Sequence, residues 1–148
     1  MGQTLSKNTI ETGGDKKNIV QSIKRSLNRG SSNDQAYSDY VKETQDFAYI
    51  QVQGTIIAFI SWEVRHSRYM EGDFIEYLWV HKNYRRKGYA KRLFDFYKNK
   101  HATFSLFVTS ASRPFWEKMK AMNTRTHTVT WTSERTGDKM IWTRKLHL

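Results

Sequence analysis

Apolar and polar positions alternate along the chain in a way that divides it into ten elements. Ile19, Val20, Ile23 and Leu27 recur at helical spacing, which predicts a helix over Lys16–Asn28. Gly30-Ser31-Ser32-Asn33 ends it, and Asp34 stands where it can cap a second short helix reaching about Glu43. Phe47–Gln51 reads as a strand, and the turn signal Gln53-Gly54 folds it back into Thr55–Val64. That second strand (Ile56, Ile57, Ala58, Phe59, Ile60, Trp62, Val64) is almost continuously apolar, the pattern of a strand buried on both faces. Phe74–His81 is another aromatic, β-rich run. A helix follows over about Tyr89–Asn99, with Leu93, Phe94, Phe96 and Tyr97 as its apolar stripe. Phe104–Val108 is a short strand, and Ser112-Arg113-Pro114 opens a helix through Met122, with Pro114 acceptable in its first turn. Strands over Thr126–Thr132 and Lys139–Lys145, joined by a loop from Ser133 to Asp138, complete the chain. The order ααβββαβαββ predicts a mixed α/β (α+β) fold, with a central, mostly antiparallel sheet and one strand–helix–strand unit. Residues 16–148 form one domain in this scheme, and the polar residues 1–15, with Gly13-Gly14, a flexible arm.

Composition narrows the classes. At 148 residues one sizeable core is expected. Aromatics at 14 % argue against a disordered chain. A spanning helix is excluded, because no run of about 18 apolar residues occurs. The absence of cysteine removes disulfides, zinc–thiolate sites and a cysteine nucleophile, and suits a reducing, cytoplasmic location. The first residues lack the apolar core of a signal peptide. The five histidines show no metal-ligand spacing, so no metal is expected. Met1-Gly2 with Ser6 matches the short N-myristoylation pattern, which matters only in a eukaryotic host.

Charge changes the picture further. The net charge is +11, and eight cations lie between Lys82 and Lys100 with Asp95 as the single acid. Such a run is a solvated helix face or an anion site for a polyphosphate or a nucleic-acid backbone. Within it stands Arg85-Arg86-Lys87-Gly88-Tyr89-Ala90, between an aromatic strand and an amphipathic helix. A strand-to-helix turn presents successive backbone N–H groups and the positive end of the helix dipole to an anion. Gly88 allows close approach of the backbone, small Ala90 does the same, and Arg85, Arg86, Lys87, Lys91 and Arg92 add attraction.

The segment from Tyr77 to Phe94, with Leu78-Trp79-Val80 followed by Arg85-x-x-Gly88-x-Ala90, resembles the acyl-CoA motif of the GCN5-related N-acetyltransferase (GNAT) superfamily. The resemblance continues through Phe104–Val108 and Ser112–Met122, over about residues 46–145. It implies a GNAT-like domain in which the backbone of Arg86–Ala90 holds the CoA pyrophosphate. It also implies that the strand ending at Val80, including Leu78 and Trp79, pairs with the pantetheine arm. That strand would splay from Phe104–Val108 to leave a slot. The acyl group would lie beside Tyr77–Val80, where a backbone N–H serves as oxyanion donor. The implied cosubstrate is acetyl-CoA.

Proton transfer needs a base. Phe74, Glu76, Leu78 and Val80 share one strand face, on which Glu76 is the only charge. A carboxylate on an apolar face is costly, and it suits a general base for an ammonium substrate. Glu76 also falls where polyamine acetyltransferases and other GNAT enzymes carry a base, four residues before the Val of Leu-x-Val. The structural alternative is a Glu paired to a cation or at a solvated face. Glu63 and Asp73, each near an expected strand end, are weaker candidates, and His81, which faces the other side, reads as a helper at the turn or as an exposed residue. The family's usual Tyr, which protonates the departing thiolate, is replaced in Phe115-Trp116-Glu117-Lys118 by Trp116, whose indole donates no proton at neutral pH. The acid is then absent, water, or another group such as Ser112 or Tyr77.

The resulting expectation is an acetyl-CoA-dependent N-acetyltransferase acting by direct transfer to a primary amine, with Glu76 as general base. A basic surface favours acidic acceptors, namely an acidic protein or a nucleic acid. Two alternatives remain. One is a GNAT-fold protein directed to nucleic acid, with Trp131 and Trp142 stacking bases rather than packing a core. The other is a degenerate GNAT domain that acts as an interaction module.

Overall fold

The computed structural model describes residues 8–66 and 71–146. Among the described residues, four α-helices and six strands occur in the order α1 (Lys16–Asn28), α2 (Ser32–Tyr37), β1 (Asp46–Val52), β2 (Thr55–His66), β3 (Glu71–Val80), α3 (Tyr89–Lys100), β4 (Thr103–Val108), α4 (Arg113–Met122), β5 (His127–Glu134) and β6 (Gly137–Arg144). Short 3-10 turns cover Ser38–Tyr40 and Lys82–Tyr84. The strands form one mixed sheet in the order β1-β2-β3-β4-β6-β5. The β3–β4 pair is parallel, whereas β1–β2, β4–β6 and β5–β6 are antiparallel. The parallel ladder couples Phe74 with Ser105 and Ile75 with Leu106, after which β3 runs on to Val80. The Gly2 myristoylation pattern lies outside the described residues.

The chain clusters into two compact units. The first takes in the residues up to Trp62 together with Tyr77–Tyr97. Its core joins Ile19, Val20, Ile23 and Leu27 of α1 to Phe47, Tyr49, Ile56 and Phe59 of the β1–β2 hairpin and to Trp79 of β3. The α1 boundary is set by Asp15, whose carboxylate accepts from the Lys17 and Asn18 N–H groups. The hairpin turns through Gln53 and Gly54, both at positive φ (51° and 81°), the geometry a two-residue hairpin needs.

Two expectations in this unit are corrected. Asp34 is not the cap of α2. Ser31 caps the helix, and Asp34 is the third helical residue, completing a reciprocal capping box. The α-helix also stops at Tyr37 and continues as a 3-10 turn to Tyr40 instead of reaching Glu43. Residues 8–15, the end of the segment expected to be an arm, bond to this unit. Glu11 bridges Tyr49 of β1 through paired backbone bonds of 2.8 and 2.9 Å. The Tyr49 hydroxyl donates to the Gly13 carbonyl, and Arg92 of α3 donates to the carbonyl of Asn8.

The second unit comprises Glu63–Glu76 and the chain from Lys98 onward. Its core is aromatic: Phe104 stacks on Trp142 at 5.7 Å, and the buried His127 meets the edge of Trp142 at 5.8 Å. Trp142 is fully buried, so it packs the core and offers no face to a base. The expected loop from Ser133 to Asp138 is much shorter, because β5 and β6 stay paired to Glu134 and Gly137. Gly137, at φ 138°, supplies the backbone conformation that the tight turn requires.

Candidate active site

The end of β3 is anchored before the turn begins. The His81 N–H donates to the Ile57 carbonyl at 2.7 Å, fixing the exit from the sheet. The His81 ring then accepts from the Asn83 N–H through Nδ1 at 3.0 Å and opens the 3-10 turn. The ring is wedged edge-on against Trp79 and Tyr84, so His81 builds the turn. Arg85 is extended, Arg86 is left-handed at φ 64°, and Gly88 is left-handed at φ 87°. The first backbone bond of α3 runs from the Arg92 N–H to the Gly88 carbonyl at 3.0 Å. Among the described residues, nothing accepts from the N–H groups of Gly88, Tyr89 and Ala90. No acidic residue stands in the first turn of α3.

This geometry is able to receive an anion. Backbone N–H groups around left-handed residues converge on one point, and the helix dipole adds positive potential there. A Cβ at Gly88 would meet no atom within 4 Å, so the space above the turn is open to a ligand.

The flanking cations divide their roles. Arg85 Nε donates to the Val80 carbonyl at 2.9 Å, so its side chain ties the turn back to β3. Lys91 pairs with Asp95 at 2.7 Å, and Arg92 holds Asn8. Lys87 lies over the Tyr84 ring at 5.8 Å. The side chains of Arg86 and Lys87 are exposed at the turn. Two predicted cofactor residues, Trp79 and Tyr89, are buried, so they offer a ligand only their backbone. Leu78 and Val80 are half-buried.

Glu76 does not stand alone on its face. Arg65 donates to its Oε1 from both Nε, at 3.0 Å, and Nη2. The same guanidinium lies 3.9 Å from Glu63 and 5.2 Å above the Phe74 ring. The apolar-face argument for a lone carboxylate is therefore replaced by a clamped ion pair. Sequence reasoning missed Arg65, because it sits on β2 and no local spacing links it to β3. Asp73, another acid of β3, pairs with His101 at 2.9 Å.

The candidate acids separate as well. Trp116 is buried. The Ser112 hydroxyl donates to the Thr109 carbonyl and accepts from the Thr109 N–H, within its own turn. Tyr77 is half-buried, and its phenol is pushed above the ordinary 10.0, first by burial and then by Asp34, with Arg85 opposing. It therefore keeps its proton at neutral pH. Trp131 lies under the Arg113 guanidinium at 4.2 Å, and Arg113 also pairs with Asp138. No group of three or more His, Asp or Glu among the described residues could hold a metal ion.

A family model for the acetyltransferase (GNAT) domain matches residues 43–120, a span that takes in β3, the anion turn and α3. The chain belongs to the GNAT acetyltransferase family. Acyl transfer is the family's activity, and acetyl-CoA its cosubstrate. No curated protein matches the chain. Several solved structures share its fold. A protein of Pyrococcus horikoshii OT3, PH1933, aligns with a TM-score of 0.65 at 18 % identity, over 94 % of this chain and 99 % of that one. The Bacillus subtilis N-acetyltransferase YlbP, solved with coenzyme A, aligns at 0.61 and 15 % identity, over 92 % and 96 %. The ribosomal-protein-S18-alanine N-acetyltransferase of Escherichia coli aligns at 0.60 and 14 % identity, over 91 % of each chain. No helix among the described residues of this GNAT protein is long and apolar enough to cross a membrane.

Proposed function

We propose that this protein transfers the acetyl group of acetyl-CoA to a primary amine, which attacks the thioester directly. One observation carries the reading: the unengaged N–H groups of Gly88, Tyr89 and Ala90 at the start of α3, beneath open space. They would hold the diphosphate, with Arg86 and Lys87 exposed beside them. The backbone of Leu78–Val80, beyond the β3–β4 ladder, would align the pantetheine arm. A strand N–H there would steady the charge that grows on the acyl oxygen. The bound cosubstrate supplies an activated acetyl group, and the chain supplies position and proton traffic. Glu76, fixed by Arg65, would take the proton of the acceptor ammonium through a water. Tyr77 or water would return a proton to the departing thiolate. No cysteine is present to carry a covalent acetyl group.

The absence of cysteine also gives a clean assay, since every thiol detected during turnover is released CoA. Calorimetry should show acetyl-CoA binding, and a panel of primary amines should yield thiol release. Glu76→Gln should lower kcat by about 10²–10⁴-fold, the usual contribution of a general base, with CoA affinity unchanged. Absence of acetyl-CoA binding by the parent protein would sink the proposal.

A further inference from the structure

The second compact unit carries a surface that the proposed chemistry does not use. Three stretches of the chain meet there, residues 98–103, 118–128 and 143–146, and none of them contains an aspartate or a glutamate. Their junction is built by hydrogen bonds. Lys98, in the last turn of α3, donates to Oδ1 of Asn123, the residue that ends α4. The Arg144 guanidinium donates to the Lys98 carbonyl, and the Arg144 N–H donates to the Ala102 carbonyl at 2.8 Å. The Lys145 N–H donates to the Thr126 carbonyl at 2.8 Å, and its Nζ donates to the Thr124 carbonyl. The Asn123 N–H closes back on the Lys120 carbonyl at 3.0 Å. Cations from all three stretches are thereby gathered at one corner. Lys98, Lys120 and Arg144 are half-buried and brace it, whereas Lys100, Arg125 and Lys145 are exposed. The Asp73 carboxylate comes beside the end of α3, where His101 pairs with it at 2.9 Å. Glu117, exposed on α4 three residues before Lys120, is the nearest acid in sequence. Two aliphatic side chains stand among these cations. Met122, at the end of α4, is 48 % exposed, and Leu146, next to Lys145, is 87 % exposed. No Phe, Tyr or Trp occurs in the three stretches.

We infer that this corner is a docking surface for an anionic lipid bilayer, on which the protein lies peripherally. Charge and apolarity both select that partner. A plane of anionic headgroups attracts every cation close to it, and each Lys or Arg there strengthens partitioning about fivefold. Lysine and arginine stems can lie along such a surface while their charged ends reach phosphate. Met122 and Leu146 then enter the boundary between headgroups and acyl chains, which takes apolar area out of water. A nucleic acid would take up the same charge. It would find no aromatic ring here on which a base could stack, and it would leave the two aliphatic chains in water. The inference does not depend on acetyl transfer, because none of these residues belongs to the anion turn or to the proton route.

The test is flotation of the full chain with two kinds of vesicle, phosphatidylcholine alone and phosphatidylcholine carrying about one-third phosphatidylserine. Binding to the serine-lipid vesicles should be at least about tenfold tighter than to the neutral ones. It should fade as salt rises from about 0.1 to 0.5 M, where the Debye length shrinks from about 10 to about 4 Å. Lys100→Gln/Arg125→Gln/Lys145→Gln should weaken it about 100-fold, three factors of about fivefold. Lys17→Gln/Arg29→Gln/Lys42→Gln removes the same charge from the first unit and should change it less than about threefold. Met122→Ser/Leu146→Ser leaves the charge unchanged and should weaken it at least about fivefold. All of these positions are exposed, and thermal melts of each variant check that the fold is kept. Equal loss in the two triple variants would assign the binding to net charge and overturn the surface. Undiminished binding by Met122→Ser/Leu146→Ser would overturn it too, because the aliphatic pair is what separates a bilayer from other polyanions. Binding of the parent chain to a duplex RNA but not to the vesicles would make the corner a nucleic-acid site and overturn the inference, as would no binding to either.

Discussion

Gly88 offers the sharpest test of the anion cradle, because conformation, space and charge can be varied there separately. Its φ of 87° is left-handed, and an added Cβ would touch nothing within 4 Å. Gly88→Ala should therefore cost strain without a clash, about 1–2 kcal/mol. For a chain of this size that lowers Tm by roughly 2–8 °C. Asn and Asp tolerate the left-handed region better than other side chains, so both should fold near the parent Tm. They are nearly isosteric and differ in charge. Gly88→Asn crowds the approach of the diphosphate, and Gly88→Asp also places a negative charge against it. Loss of one hydrogen bond to a charged group costs roughly 1.5–3 kcal/mol, which is about 10–150-fold in Kd. Calorimetry of acetyl-CoA should rank the parent above Asn and Asn above Asp, with Asp binding undetectably or at least 10-fold more weakly than Asn. If Gly88→Asp binds acetyl-CoA as tightly as the parent while melting at the same temperature, the cradle is not the cofactor site.

Three further outcomes test the scaffold. Ser31→Ala removes the cap of α2 and its capping box, and should lower stability by about 1 kcal/mol in urea unfolding; an unchanged midpoint would contradict the cap. Burial, then Lys98 and Arg144, lowers the His127 pKa below 6.5, so the unfolded chain takes up that proton first. Stability should thus be full above about pH 6.5 and decline below it, and His127→Phe should flatten that decline; parallel pH profiles would show that another group is responsible. Tyr49→Phe deletes the hydroxyl bond to the Gly13 carbonyl and should lower Tm by about 2–4 °C, with acetyl-CoA affinity preserved.

What the sequence made legible follows the range of the interactions involved. The α1 limits are legible because its apolar stripe is local, and the structure adds the Asp15 cap just before it. The Arg85–Ala90 turn was equally readable, since glycine, cations and a following amphipathic helix are contiguous. The α2 cap lies three residues before the expected Asp34 because Ser31-x-x-Asp34 carries two capping groups that bond reciprocally, with Ser31 at the cap position. The β5–β6 turn looked longer because Ser133, Glu134 and Asp138 resemble loop residues when their cross-strand partners are unseen. The clamp of Arg65 on Glu76 and the stacking of Tyr37 on Tyr77 join residues 11 and 40 positions apart in the sequence. Only tertiary contact reveals such pairs, and for Glu76 that contact changes the chemistry from a lone carboxylate to a positioned one.

The bonds that fasten Asn8 to Tyr89 and to Arg92 close loops of 81 and 84 residues. Closing loops of that length is slow relative to local helix formation, and a chain made from its N-terminus holds Asn8 without these partners until α3 has emerged. The brace on α3 is then missing until more than half of the chain has been made. Nascent chains should gain acetyl-CoA binding, and the protection a ligand gives, only after β1, β2, β3 and α3 have all emerged.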